Sequence, residues 1–248
     1  MKRNESQPVS AILSEFGISP DELTDQVTMV KAMQKLNPKF GFHMPSRDAF
    51  LMLYSLYQQV VQARYVKFEN DGFTQDVVAQ VVRLMTKSIP VSGIMLCGMP
   101  GNGKTTLSKA FVEMCRHLNR KGHFKYMGES FDFGTQFVTA KQVCKLYQND
   151  KLTEIARLTN IAILIIDDLG EEPPEVLSYG NSDHPVRTLI ESRYDSLKFT
   201  IVTTNLTSDD LFKQYGWRVI DRIQEIYARV IHRAPTYRKP KEDETDKS

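Results

Sequence analysis

Eight consecutive residues constrain this chain more than any others: Gly98-Met99-Pro100-Gly101-Asn102-Gly103-Lys104-Thr105. They fit the G-x-x-x-x-G-K-[ST] spacing of a loop that cradles nucleotide phosphates. The glycines let the backbone turn so that several N–H groups point at one anion. Lys104 brings a positive charge to the outer phosphates, and the Thr105 hydroxyl is sized to hold Mg²⁺. Gly98, Pro100, Asn102 and Thr106 complete the expected nucleotide contacts. Upstream, Ser92-Gly93-Ile94-Met95-Leu96-Cys97 is a short apolar run, as a buried strand should be. Downstream, Leu107, Ala110, Phe111, Met114 and Leu118 recur at helical spacing. Strand, loop and helix in that order aim a helix N-terminus at the phosphates.

A length of 248 residues allows one full α/β domain and a smaller appendage. The net charge of +2 is too small to argue for nucleic acid, so any basic surface must be local. Cys97, Cys115 and Cys144 are odd in number and include no C-x-x-C pair, which disfavours a disulfide framework and a zinc site. No apolar signal core follows Met1, and no run approaches membrane-spanning length. These features predict a reducing, cytoplasmic setting.

Residues 1–72 read as a helical N-terminal domain without a catalytic signature. Ser19-Pro20-Asp21-Glu22 is a capping box, after which Leu23, Val27, Val30 and Met33 line one face until Asn37-Pro38. Ser46 is placed to cap a second helix whose stripe is Phe50, Leu53, Tyr54, Tyr57, Val60 and Val61. That stripe either buries itself in a small bundle or docks a partner's helices. Asn70-Asp71-Gly72 is a turn, and a helix is expected from Thr74 to Lys87. Beyond the loop helix, Phe124–Met127 reads as a strand and Thr139 as the cap of a helix reaching Tyr147. Residues 239–248 read as a disordered tail.

A second landmark is Ile163-Leu164-Ile165-Ile166-Asp167-Asp168. Its aliphatics suit a buried parallel strand, with the carboxylates at the C-terminal end where such sheets bind ligands. Asp167 would hold Mg²⁺, and Asp168 would orient or deprotonate an attacking water. The third, Phe199-Thr200-Ile201-Val202-Thr203-Thr204-Asn205, ends on an amide that suits the attacking water or the γ-phosphate, or a plain strand-to-helix turn. The fourth is Arg218-Val219-Ile220-Asp221-Arg222, with two arginines on one helical face. They serve a neighbouring subunit's γ-phosphate as an arginine finger, or are a solvated pair, or Arg222 forms an internal salt bridge to Asp221 or Glu225. Pro235-Thr236-Tyr237-Arg238 follows. The densest basic cluster, Arg116, His117, Arg120, Lys121, His123 and Lys125, suits either a phosphate backbone or the C-terminal end of a helix dipole.

Taken together, these landmarks resemble the AAA+ family, and within it the branch of DnaC-type helicase loaders and IstB-type transposase helpers. The matching residues are Gly98 to Thr105, Ile166-Asp167-Asp168-Leu169-Gly170, Thr204-Asn205, Arg218 to Arg222, and Thr236-Tyr237-Arg238. The resemblance spans about residues 73–238 and does not reach the N-terminal helices. It implies an α/β P-loop NTPase core, a five-stranded parallel ASCE sheet with helices on both faces and no separate lid domain. It also implies ATP and Mg²⁺ as cofactors, single-stranded DNA as a ligand, homo-oligomers, and a client gripped by the N-terminal domain. That client is a replicative helicase, or a transposase in the alternative reading. Asn205 becomes a first sensor, Arg222 the finger with Arg218 as companion, and Arg238 a possible second sensor. Departures are Asp168 where many members carry Glu, Thr236 in place of Ser, and a long acidic, proline-rich loop from Glu171 to Pro185. A small-molecule kinase on the same core is the alternative from another class; it has no use for Asn205 and the arginine pair in this order.

Overall fold

The computed structural model describes Ser19, Asp21, Glu22, Thr24 and residues 40–87, 91–120, 125–126, 129–130, 134–178 and 181–238. Contacts divide the chain into two units, Met1–Pro38 and Lys39–Ser248. In the first, Glu22 N–H donates to Ser19 Oγ at 3.1 Å and Ser19 N–H to Glu22 Oε2 at 2.9 Å, which is the expected capping box. The apolar face expected at Leu23, Val27, Val30 and Met33 lies outside the described residues, as does the tail from 239 onward.

The second unit opens with helices α1 (Ser46–Gln62) and α2 (Gly72–Met85). Strand β1 (Gly93–Gly98) and helix α3 (Lys104–Arg120) flank the glycine loop. A small ribbon, β2 (Lys125–Tyr126) and β3 (Glu129–Ser130), precedes β4 (Thr135–Thr139), α4 (Ala140–Gln148) and α5 (Leu152–Asn160). Next come β5 (Ile163–Leu169), the hairpin β6 (Val176–Ser178) and β7 (Asn181–Asp183), α6 (Pro185–Asp195), β8 (Phe199–Thr204), α7 (Ser208–Ile226) and β9 (Tyr227–His232). The acidic, proline-rich loop after β5 is therefore organised around a short antiparallel hairpin.

Five strands form one sheet in the order β4-β5-β8-β1-β9, and every pair is parallel. Alternation along the strands explains why both faces are covered. Ile94, Leu96, Ile163, Ile165, Phe199 and Ile201 point to the face packed by α1, α2 and α3. Met95, Cys97, Leu164, Ile166 and Val202 point to the face packed by α4 to α7. This is the expected α/β architecture, a five-stranded parallel sheet with helices on both faces.

Helix α1 packs on α3, and its stripe has a different destination from either expectation. Ala49, Leu53 and Tyr57 are buried in the same core as Phe111 of the loop helix and Phe199 of β8. Phe40 stands edge-on to Phe199 with ring centroids 4.9 Å apart, and Phe42 N–H donates to Met85 O at 2.7 Å. Residues 40–72 thus belong to the body that carries the glycine loop, and the division falls at Pro38 rather than after Gly72. Periodicity reports an apolar face but not which surface covers it. Helix α1 begins directly behind Pro45; the Ser46 hydroxyl lies 2.8 Å from Thr86 Oγ1 instead of capping its own helix.

Candidate functional site

The glycine loop leaves β1 at Gly98 and enters α3 at Lys104. Two of its glycines are required by shape as well as by backbone angle. Gly101 (φ +80°) sits against the Thr236 hydroxyl, and Gly103 (φ +100°) against the Tyr57 hydroxyl, so a Cβ at either would collide. Below the loop, the Asn102 side-chain amide donates to His232 O at 2.8 Å. His232 is buried, and its pKa is pushed down to about 4 by that burial, with the Lys104 charge adding to it.

Lys104 is the point of convergence. Its ammonium donates to Gly98 O at 2.7 Å, Met99 O at 2.9 Å, Asn102 Oδ1 at 3.2 Å and Asn205 Oδ1 at 2.8 Å. Burial lowers its pKa, opposed by the charges of Asp168 and Asp167. Because β1 pairs directly with β8, Cys97 opposite Thr204, the loop after one strand meets the asparagine after the other.

Asp167 ends the buried run of β5 and is itself only 1% exposed. The Thr203 hydroxyl donates to its Oδ1 at 2.7 Å. Burial raises the Asp167 pKa, opposed first by that hydrogen bond and then by the nearby Thr105 side chain. The register with β8 shifts between Ile166 and Leu169, and Asp168 adopts φ +56° at that irregularity. A positive φ is costly for a residue with a side chain, and such strain concentrates at functional sites. The bulge is tied down by Asp168 N–H donating to Thr203 Oγ1 at 2.9 Å. Thr203 therefore serves both carboxylate residues at once, a role that no motif assigned to it.

These groups line one cavity of about 970 Å³. Pro100, Gly101, Asn102, Gly103, Lys104, Thr105 and Thr106 form one wall. Asp168, Asn205 and Arg238 close on it from the sheet and the C-terminal strap. Gly98 contributes its carbonyl to Lys104, and Asp167 stands behind Thr105. Tyr57, Val61, Val66 and Phe68 also line it, with Arg64 and Lys67. This apolar part of the lining comes from α1 and the segment before α2, roughly 30–40 residues upstream of the loop, where no local pattern marks it. At the rim, Lys141 and Glu171 pair at 3.4 Å.

Arg218 and Arg222 do not line the cavity. On α7 they face α6: Arg218 Nε lies 3.5 Å from Glu191, and Arg222 lies 3.6 Å from both Glu191 and Asp195 and over the ring of Tyr194. Their acidic partners come from the neighbouring helix and not from Asp221 or Glu225. Gly216 (φ 76°, ψ 164°) breaks α7 just before the pair. In the basic cluster, Arg116 is paired with Glu113 at 2.6 Å, and Lys121 and His123 lie outside the described residues.

The donor set fits a magnesium-bound triphosphate. Backbone N–H groups, a lysine and a helix N-terminus suit the phosphates. The Thr105 hydroxyl and the buried Asp167 carboxylate suit Mg²⁺, which takes few protein oxygens and keeps water and phosphate as its other ligands. Among the described residues no group of three or more His, Cys, Asp or Glu could hold a metal on protein ligands alone. No described helix is long and apolar enough to cross a membrane.

The fold and the site together define a parallel α/β architecture with a glycine-rich loop between β1 and α3. No family model matches the sequence, and no curated protein sequence matches it. Among solved structures, the chain is similar to the DnaC helicase loader at 24% identity, covering 67% of this chain and 93% of that one, with a TM-score of 0.48. It is similar to DnaI at 15% identity over 77% and 95% of the two chains, with a TM-score of 0.48. AMPPCP-bound DnaA from Aquifex aeolicus is also similar, at 15% identity over 66% and 48%, with a TM-score of 0.44.

Proposed function

We propose that this chain binds and hydrolyses ATP with Mg²⁺ and uses that cycle in DNA replication, loading a replicative helicase onto single-stranded DNA. The observation that carries the ATPase reading is the meeting of Lys104, Thr105, Asp168 and Asn205 on one cavity, with the buried Asp167 carboxylate next to Asp168 at the end of β5. The order of motifs, which resembles the DnaC branch, supports the replication role.

Lys104 holds the outer phosphates, and Thr105 and Asp167 hold Mg²⁺, which neutralises developing phosphate charge when bound. Asp168 takes the proton of the attacking water, and Asn205 fixes that water's position. A short Asp in place of Glu reaches less far, so slow turnover is expected. Tyr57, Val61 and Phe68 receive the base. Arg218 is the arginine better placed to reach a second copy, being 61% exposed while Arg222 is 19% exposed and held by two carboxylates. The N-terminal unit, Met1–Pro38, is where the client would be gripped.

The test uses the full chain as bait for the host's replicative helicase, because a fragment ending at residue 72 would cut through the core that α1 shares with α3. Stable capture, with ATPase activity raised by single-stranded DNA, supports loading. Capture of a transposase instead, or stimulation by small hydroxyl compounds and not by DNA, contradicts it.

A further inference from the structure

Three parts of the chain that no motif connects meet at the glycine loop. Tyr237 N–H donates to Gly101 O at 3.0 Å. Its hydroxyl donates to Asp71 Oδ2 at 2.6 Å and lies 3.0 Å from Thr74 Oγ1. Asp71 is the N-cap of α2, and its other oxygen accepts Thr74 N–H at 2.7 Å. Residues 236–238 thus cross the loop as a strap. Thr236 Oγ1 packs on Gly101, and Arg238 lies so near that its Cδ would stand 3.3 Å from a Cβ there. Arg238 N–H turns back to Thr236 Oγ1 at 3.2 Å, and the side chain lines the cavity.

The chemistry of the contact is that of a strong anchor. An O–H donor to a carboxylate is about twice as strong as a neutral pair. Burial and the Asp71 carboxylate raise the Tyr237 pKa, so the phenol keeps its proton. Burial works against ionised Asp71, but the hydrogen bonds from Tyr237 and Thr74 outweigh it and hold its pKa low. An arginine on an unanchored segment must give up both backbone and rotamer freedom when it fixes on a ligand. Anchoring the preceding residue at both its backbone and its hydroxyl removes the backbone share of the ordering cost before any ligand arrives.

We propose that the Asp71–Tyr237 hydrogen bond is a latch that holds the C-terminal strap on the glycine loop and so positions Arg238 for the outermost phosphate of the nucleotide. Tyr237 and Asp71 are positioning residues acting through Arg238. The inference rests on reading the cavity as the nucleotide site.

The test compares MgATP and MgADP affinities by calorimetric titration of the full chain, with thermal melting as a control. Tyr237→Phe keeps the ring and loses only the hydroxyl. Asp71→Asn keeps a good N-cap and loses the charge. Each is expected to weaken ATP about 5- to 30-fold and ADP less than about twofold. The two together are expected to cost no more than either alone. In an Arg238→Ala background, the Tyr237→Phe effect on ATP is expected to vanish. ATP affinity unchanged in both single variants, equal losses for ATP and ADP, or a Tyr237→Phe loss that persists in full without Arg238 overturns the latch. A wild-type chain that binds neither nucleotide overturns the site reading itself, which separates the two failures.

Discussion

Lys104 Nζ donates to Asn205 Oδ1 at 2.8 Å, joining the loop after β1 to the tip of β8 through a single cation. The contact follows from the sheet, since these two strands are neighbours and end at the same level. It gives the site one shared reference point: whatever charge Lys104 holds is also within reach of the asparagine. Thr203, two residues before Asn205, supports the carboxylate side of the same cavity, so one strand braces both halves.

Thr203→Val tests that brace. The two side chains have nearly the same shape, but valine leaves the Asp167 oxygen and the Asp168 N–H without their partner. A buried group left unsatisfied costs about 2 kcal/mol, so melting should fall by roughly 4–8 °C. Magnesium-dependent nucleotide binding should weaken as well. Unchanged melting by calorimetry would show that Thr203 is filler.

Arg193 is fully buried with no carboxylate partner among the described residues, and its guanidinium donates to Leu158 O, Thr159 O, Ile161 O and Phe199 O and to Thr200 Oγ1. It ties the C-terminal end of α5 to the start of β8. Arg193→Leu strands those carbonyls and should cost about 3–5 kcal/mol in urea unfolding. Nucleotide affinity of the folded fraction should not change, because none of these groups reaches the cavity. A loss of under about 1 kcal/mol would contradict the clamp.

Acid sensitivity should come in part from His232. Its folded pKa, about 4, lies below the 6.5 of an unperturbed imidazole, so the unfolded chain binds the proton first. Stability from this group is complete above the unfolded value and is lost progressively as pH falls from there towards about 4. The full loss is about 3 kcal/mol. His232→Phe should flatten the slope of unfolding free energy against pH in that window. An unchanged slope would place the acid sensitivity elsewhere.

The two arginines of α7 should behave differently. Arg218→Ala should fold normally, keep ATP affinity and lower ATPase activity at least about tenfold in assemblies. Mixing it with a Lys104→Ala chain should restore part of the activity. Arg222→Ala should instead lose about 1 kcal/mol of stability as its acid partners and the Tyr194 ring are released. Loss of turnover only in Arg222→Ala would reverse the assignment.

The parts of the site that sequence reveals are those in which one strand's periodicity breaks into a polar tip. The glycine loop after Cys97, the carboxylates after Ile166 and the amide after Thr204 all announce themselves this way, and the structure brings all three to one end of one sheet. What stayed hidden is held by contacts far apart in the chain. The stripe through Leu53 and Tyr57 shows an amphipathic helix, yet only packing reveals that it lies on Phe111 and seats a hydroxyl against Gly103. Thr203 reads as one more strand residue until the bulge at Asp168 turns its hydroxyl into a shared partner. Tyr237 and Asp71 stand 166 residues apart, and their bond leaves no local trace.

The most direct measurement is a calorimetric titration of MgATP into the full chain, run beside Lys104→Ala. The account predicts saturable binding at one site per chain, strengthened by Mg²⁺ and weakened at least about tenfold in the variant. No binding at millimolar ATP, or equal binding by the two chains, would contradict it.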